Sequence, residues 1–232
     1  MKRESVTSEK EFRKKLKRIS MNGTLKRGTS PDLLGNSDVH LAFKELLTSL
    51  KGMKVVLIGG LALEVYIGKD VRGTTDVDIL IHSEKKLASI VSQTRRRFEF
   101  ISSGLRHKKT GVKIDIVYPR YPLKINKNLV DEALKEQNLE HHQFFGLDYF
   151  VPKTEFLIAL KLPRIIRAGK LRDMFDEEAE QDKADIISLF KKQRPGIDKF
   201  DNIKKLLGRD ESETLNEYLS HYEKLGLARH SE

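Results

Sequence analysis

Three aspartates in two short apolar segments are the residues of this sequence best suited to chemistry. Asp76 and Asp78 are two positions apart: Asp76 directly precedes the otherwise apolar run 77–81, and Asp78 is its second residue. If this run is a β-strand, both carboxylates project from one face, because side chains alternate along a strand. Two like charges this close repel unless a cation lies between them, and carboxylate oxygens suit Mg²⁺ or Mn²⁺. The spacing therefore predicts a divalent metal site.

A third carboxylate, Asp115, lies between Ile114 and Ile116 in a second apolar segment. An acid within such a strand must face water, a metal ion or a partner, because an isolated buried charge is too costly. If this strand lies beside the first, three carboxylates converge. Such a set can hold two divalent ions roughly 3.5–4 Å apart and activate a hydroxyl for in-line attack on phosphorus.

A glycine pair, Gly59-Gly60, precedes these acids and follows the apolar run 55–58. Residues 61–67 have helix-compatible spacing, so the pair lies where a strand passes into a helix. Glycines there let phosphate oxygens approach the backbone N–H groups of the helix N-terminus. Gly-Gly alone also fits an ordinary strand–helix turn, and the aspartate pair alone fits a strand edge. Their combination at short spacing favours a nucleotide site.

The elements that must position these residues follow from hydrophobic periodicity and from glycine and proline punctuation. Helices are predicted at 38–51, 61–67, 84–93, 129–136, 155–168, 175–192 and 210–225, and strands at 55–58, 77–81, 98–102, 105–108, 112–118, 139–145 and 149–151. This pattern indicates an α/β (α+β) fold. We predict a basic arm and linker over 1–36, a catalytic core over 37–125 and a mainly helical part over 126–232.

Composition and charge limit the classes of function. The 232 residues contain no cysteine, which excludes disulfides, thiol nucleophiles and cysteine-ligated metal sites. No apolar run approaches the roughly 20 residues of a membrane span, and the charged N-terminus lacks a signal peptide's apolar stretch, so we expect no membrane association and a cytoplasmic location. The net charge is +10, and residues 1–30 carry +7 of it. Such an arm fits a polyanionic partner such as RNA, or a solvated tail.

Gly59-Gly60 followed by Arg72-x-Thr74-x-Asp76-x-Asp78 resembles the DNA polymerase β-like nucleotidyltransferase superfamily. It looks most like the AbiEii/minimal-nucleotidyltransferase branch, which includes toxin–antitoxin components. The resemblance covers about residues 55–117. A softer match continues into the second half of the chain. There Lys161 resembles the family's phosphate-binding lysine, and Asp185 matches an acid of its Lys-Asp-x-x-Asp-Ile helix.

The resemblance implies a mixed β-sheet flanked by helices and a helical C-terminal part. It implies transfer of a nucleoside monophosphate from an NTP to an acceptor hydroxyl, with Mg²⁺ or Mn²⁺ as cofactor. Each matching residue then has an implied role. Asp76, Asp78 and Asp115 bind metal, with Asp115 also helping to deprotonate the acceptor. Gly59, Gly60, Arg72, Thr74, Lys161 and Asp185 form the nucleotide-binding set, in which the glycines hold the triphosphate and Lys161 neutralises the leaving pyrophosphate.

The acceptor is left open by the sequence. An RNA end such as that of tRNA fits the basic arm, whereas a protein hydroxyl or an aminoglycoside or lincosamide antibiotic needs the same core. A non-catalytic nucleotide- or RNA-binding module is a further alternative, and a glycosyltransferase is disfavoured by the glycine pair and by Asp115. A cognate antitoxin or toxin protein is an implied partner. Two basic groups, at 95–97 and 107–109, either extend the phosphate-binding surface or are merely solvated.

Overall fold

The computed structural model describes residues 37–68, 73–102, 104–119, 125–171 and 177–226. Its helices are α1 (Ser37–Ser49), α2 (Gly59–Ile67), α3 (Glu84–Thr94), α4 (Lys127–Ala133), α5 (Thr154–Leu171), α6 (Glu177–Gln193), α7 (Asp201–Lys204) and α8 (Arg209–Lys224). Its strands are β1 (Val56–Ile58), β2 (Asp76–Leu80), β3 (Phe98–Ile101), β4 (Gly104–His107), β5 (Lys113–Val117), β6 (Leu139–Phe144) and β7 (Leu147–Pro152). Short 3₁₀ turns cover Glu136–Asn138 and Ile197–Phe200.

The strands form one seven-stranded sheet in the order β3-β4-β5-β2-β1-β7-β6. Strands β1 and β7 are parallel, as are β2 and β5, and the other neighbours are antiparallel. The sheet is therefore mixed and is flanked by helices, and the predicted α/β fold class is confirmed. None of the helices in the described ranges is both long and apolar enough to cross a membrane.

The sheet extends across the predicted boundary at residues 125 and 126. Strands β6 and β7 come from the predicted C-terminal part, yet β7 pairs with β1, with Phe150 opposite Val56. The remainder of that part is mainly helical, and α5 packs against α6 and α8. The domain boundaries themselves stay predictions, and the predicted basic arm and linker lie outside the described residues.

The two halves of the sheet differ in what covers them. All three residues of β1 are buried, because strands β2 and β7 and helix α2 pack around it. In β3, β4 and β5 one face is buried, and Leu105 and Ile114 are among its core residues. The opposite face presents Glu99, Arg106 and Lys113 to solvent. These three residues define what we call the open face of the sheet.

Candidate active site

The three predicted aspartates lie on two neighbouring strands at one edge of the sheet. In the register of β2 and β5, Asp78 is directly opposite Asp115, and Asp76 is opposite Lys113. On the other side of β2, Asp78 is opposite Ile58, the last residue of β1. Paired residues of adjacent strands share a face and are separated by about 5 Å. The fold thus brings the carboxylates beside the point where β1 passes into α2.

The electrostatics of Asp78 reflect this crowding. Burial, together with the nearby charges of Asp76 and Asp115, raises the pKa of Asp78 to about 7. The positive charges of Lys161 and Arg164 oppose that shift without cancelling it. A site that raises the pKa of its own carboxyl in this way is one where an added cation is stabilising.

The glycine pair is packed tightly onto this edge. Gly59 has φ +67°, and a Cβ built on it would lie 1.9 Å from Oδ2 of Asp78. A Cβ built on Gly60 would lie 2.7 Å from the hydroxyl oxygen of Thr74. No side chain fits at either position, so the N-terminus of α2 approaches the carboxylates as closely as backbone can.

The hydroxyl of Thr74 is hydrogen-bonded to Asp76. Its Oγ1 donates a hydrogen bond to Oδ1 of Asp76 at 3.0 Å, and Thr74 itself is buried. This bond orients the Asp76 carboxylate at the start of β2. Arg72, the other member of the predicted motif, lies outside the described residues.

Lys161 occupies a buried ion cluster between α5 and α6. Its Nζ lies 2.6 Å from Oδ1 of Asp182 and 2.9 Å from Oδ2 of Asp185. Both aspartates are buried, and Arg164 extends the cluster with its Nε 3.6 Å from Oδ2 of Asp182. Asp185, assigned from the sequence to nucleotide binding, is placed here as a partner of Lys161.

Asp182 is a residue that the sequence analysis did not assign. It precedes Asp185 by three positions, so both acids lie on one face of α6 and meet the same lysine. The i, i+3 spacing was the signal that could have identified it.

Lys113 was also missed, although it contacts the third carboxylate. Its Nζ lies 3.0 Å from Oδ1 of Asp115. The hydrogen bond to Asp115 raises the pKa of Lys113, with further contributions from the charges of Asp115, Asp76 and Asp78. Its position two residues before Asp115 in a strand, and hence on the same face, was the available signal.

The donor chemistry at this edge suits a hard divalent ion, since Asp76, Asp78 and Asp115 offer only carboxylate oxygens. The mutual charges that raise the pKa of Asp78 agree with this. In the part of the chain that the structure describes, however, no three His, Cys, Asp or Glu side chains are grouped closely enough to form a ready metal site. The metal assignment therefore stays a prediction.

Comparisons with known proteins bear on the fold. No family model matches the sequence, and no curated protein matches it. Among solved structures, a crystal structure of an antigenic nucleotidyltransferase-like protein from Paracoccidioides brasiliensis is similar, with a TM-score of 0.54 and 17% identity over 83% of this chain and 92% of that chain. The chain thus shares the fold of a nucleotidyltransferase-like protein.

Two structures of an antibiotic nucleotidyltransferase are also similar. The crystal structure of ANT(2″)-Ia in complex with adenylyl-2″-tobramycin has a TM-score of 0.41 and 11% identity over 63% of this chain and 86% of that chain. A solution structure of the antibiotic-resistance factor ANT(2″)-Ia has a TM-score of 0.42 and 16% identity over 81% of this chain and 94% of that chain. The AbiEii branch stays a prediction.

Proposed function

We propose that this protein is a nucleotidyltransferase that moves a nucleoside monophosphate from an NTP to an acceptor hydroxyl. In this reaction the acceptor oxygen forms a bond to the α-phosphorus, the bond from that phosphorus to the β-phosphate oxygen breaks, and pyrophosphate leaves. The observation that carries the proposal is the contact of Gly59 with Asp78. It puts the backbone N–H groups of a helix N-terminus, a phosphate-binding feature, directly beside a carboxylate cluster.

Asp76, Asp78 and Asp115 would hold Mg²⁺ or Mn²⁺, which when bound neutralises phosphate charge and lowers the pKa of a nearby hydroxyl. The chain's own groups do the rest. The α2 N-terminus binds the triphosphate, and Thr74 fixes the orientation of Asp76. Lys161 lies within electrostatic reach of Asp78 and favours the build-up of negative charge on the leaving pyrophosphate. Asp115 accepts the proton of the acceptor hydroxyl.

The finer assignments are supported by the sequence resemblance. We propose an RNA end, including that of tRNA, as the acceptor, because the chain carries a net charge of +10. The AbiEii-like motif supports a role as a toxin–antitoxin component in the cytoplasm, with a cognate antitoxin or toxin protein as its partner. A protein hydroxyl as acceptor would use the same catalytic groups.

The direct test is to incubate the purified protein with each NTP labelled at the α-phosphate, Mg²⁺ and total RNA. We expect label to appear in the RNA fraction and unlabelled pyrophosphate to be released. Asp78→Asn should lower the rate by more than about 100-fold, because it removes one of the carboxylate charges that would hold the divalent ion. A rate within a few-fold of wild type for Asp78→Asn would contradict the proposal.

Gly52 provides a matched control for the contact between Gly59 and Asp78. Gly59 and Gly52 both have positive φ, at +67° and +87°, so alanine at either costs about 1–2 kcal/mol of backbone strain. Only at Gly59 would the added Cβ also overlap Asp78, since nothing lies within 4 Å of that position at Gly52. We expect Gly59→Ala to lose NTP binding and transfer, and Gly52→Ala to keep both. Equal activity of the two variants would remove the main support for the site.

A further inference from the structure

The topology gathers two separate basic groups at the edge of the sheet that carries the aspartates. Phe98, which follows the first group, pairs with His107, which precedes the turn that holds the second group. Lys113 pairs with both Arg106 and Asp76, so this end of β4 and β5 lies beside the start of β2. We call the basic residues gathered here the basic edge: Arg95, Arg96, Arg97, Arg106, Lys108, Lys109 and Lys113.

The charge of the chain is concentrated in this feature. Residues 95–113 contain those seven basic residues and a single acid, Glu99, which gives +6 within a chain of net charge +10. All seven basic residues are exposed. Such a density of one sign on a surface produces a local potential that attracts polyanions.

Some of these cations are loosely paired, and others are not. Arg106 lies 3.5 Å from Glu99 with both side chains about half exposed, and Arg97 lies 3.6 Å from Glu45. Among the described residues, Arg95 and Arg96 make no ion pair. Exposed pairs of this kind contribute little to folding, so they can exchange their carboxylate for an incoming phosphate at small cost.

The basic edge is continuous with the candidate active site. Glu99, Arg106, Lys113 and Asp76 are successive register partners across four adjacent strands, so they form one row on the open face. Arg106 is therefore two strands, or about 10 Å, from Asp76. A polyanion held along this row would have its end at the carboxylates.

We propose that the basic edge binds the phosphodiester backbone of a single-stranded RNA whose terminal hydroxyl is the acceptor. The acceptor role rests on the proposed nucleotidyl transfer, whereas the binding itself does not. Four of the seven cations are arginines, whose planar forks match phosphate geometry. The row that leads from Arg106 to the carboxylates fits a polyanion that ends in a reactive hydroxyl, as an RNA strand does.

The test uses the full chain and a fluorescently labelled single-stranded RNA of about 12 nucleotides, with no NTP present. Binding is followed by fluorescence anisotropy over a series of salt concentrations. We compare the double variant Arg95→Gln/Arg96→Gln with the control Lys85→Gln/Lys86→Gln. The control removes two exposed charges from the first turn of α3, and Arg95 and Arg96 follow the last residue of that helix.

Each phosphate contact contributes about 0.7 to the log–log salt dependence of binding to a single strand. For the arginine variant, which loses two contacts, we expect the magnitude of this slope to decrease by about 1.4. We expect its affinity for RNA to be about 10- to 30-fold weaker near 0.1 M salt. The control should stay within about twofold of wild type. Thermal unfolding shows whether each variant is folded, and Arg95→Glu/Arg96→Glu provides a stronger second test of the same surface.

Equal salt slopes for the arginine and lysine variants would overturn the proposal. A poly-glutamate peptide of equal charge that competes as well as RNA would also overturn it, in favour of an acidic protein partner.

Transfer kinetics separate this inference from the proposed function. With labelled NTP and the same RNA as acceptor, the arginine variant should show a raised KM for RNA, again with the lysine variant as control. If RNA binds through the basic edge but no NTP transfers label to it, the proposed function fails and the interaction surface remains. If label reaches another acceptor and the RNA slopes are equal, the surface fails and the proposed function remains.

Discussion

Two lysines adjoin the candidate active site from different halves of the molecule, and they differ in nearly every physical respect. Lys161, beneath the covered half, has 11% of its side chain exposed and is held by two buried aspartates. Lys113, on the open face, has 46% of its side chain exposed and contacts one carboxylate, that of Asp115. The charge of Lys161 lowers the pKa of Asp78, and the charges of Asp115, Asp76 and Asp78 raise the pKa of Lys113.

The contrast separates two uses of positive charge. A buried cation with two partners has lost its water and its freedom, so it supplies a fixed field at the reacting phosphates. An exposed cation with one partner keeps its water and its rotamers, so it can change partner when a ligand arrives. The covered half of the sheet, around β1, therefore positions the reacting groups. The open half, formed by β3, β4 and β5, is available to contact an incoming ligand. Three predictions probe this difference.

The largest effect is expected from Lys161→Met. The substitution removes the lysine that Asp182 and Asp185 both contact, and both acids stay buried. Breaking a buried pair by removing one partner costs about 3 kcal/mol or more in the free energy of unfolding. Urea denaturation at pH 7.5 followed by circular dichroism measures the loss.

Adding Asp185→Asn to Lys161→Met supplies the control. It removes one of the two acidic charges that Lys161 contacts, so the double variant should recover part of the lost stability. A loss below about 1 kcal/mol for Lys161→Met would mean that the cluster behaves as a surface pair, and the contrast with Lys113 would disappear.

A smaller effect is expected from Glu64→Gln in α2. Glu64 is buried, its Oε2 has no hydrogen-bond partner among the described residues, and burial raises its pKa to about 7. Because the folded-state pKa exceeds the usual value of 4.5, the folded protein holds this proton more tightly. Stability is therefore lost as the pH rises from about 4.5 to about 7. Glutamine removes that loss, so the variant should be about 2 kcal/mol more stable at pH 8.

The same substitution at an exposed acid shows what is specific to Glu64. Glu84→Gln, at the exposed start of α3, should change stability little at any pH. Unfolding of both variants is compared at pH 4.5 and pH 8. If Glu64→Gln is no more stable than wild type at pH 8, the carboxylate has access to water or to a partner, and the covered half is less closed than the structure shows.

Local sequence signals predicted the elements of this fold well, because period and punctuation are local properties. The strand that carries the aspartates was predicted at 77–81 and is found at Asp76–Leu80, and the helix predicted at 38–51 is found at Ser37–Ser49. The placement of Asp78 beside Asp115 could be stated only conditionally, since strand order is a long-range property. The structure supplies that order.

The exposure of individual charged residues could not be predicted from the sequence, because it depends on which face of the sheet is covered. Lys113 and Lys161 are both lysines near apolar residues, and no local pattern tells that one is exposed and the other is buried. The two basic groups at 95–97 and 107–109 were left as either a phosphate-binding surface or solvated residues. Only the pairing of β3 with β4 shows that they share one edge with the aspartates.

The smallest effect is expected from Lys113→Gln, which tests the open half directly. The ion pair with Asp115 is 3.0 Å long, but the lysine is nearly half exposed, and the pair is screened by water and salt. Its loss should therefore change the free energy of unfolding by no more than about 0.5 kcal/mol. Urea denaturation at 0.05 M and 0.5 M NaCl is the measurement, and the small difference from wild type should vanish at the higher salt. A loss above about 1.5 kcal/mol in the free energy of unfolding that persists at 0.5 M NaCl would show that Lys113 is held as firmly as Lys161. In that case Lys113 could not exchange Asp115 for an incoming ligand.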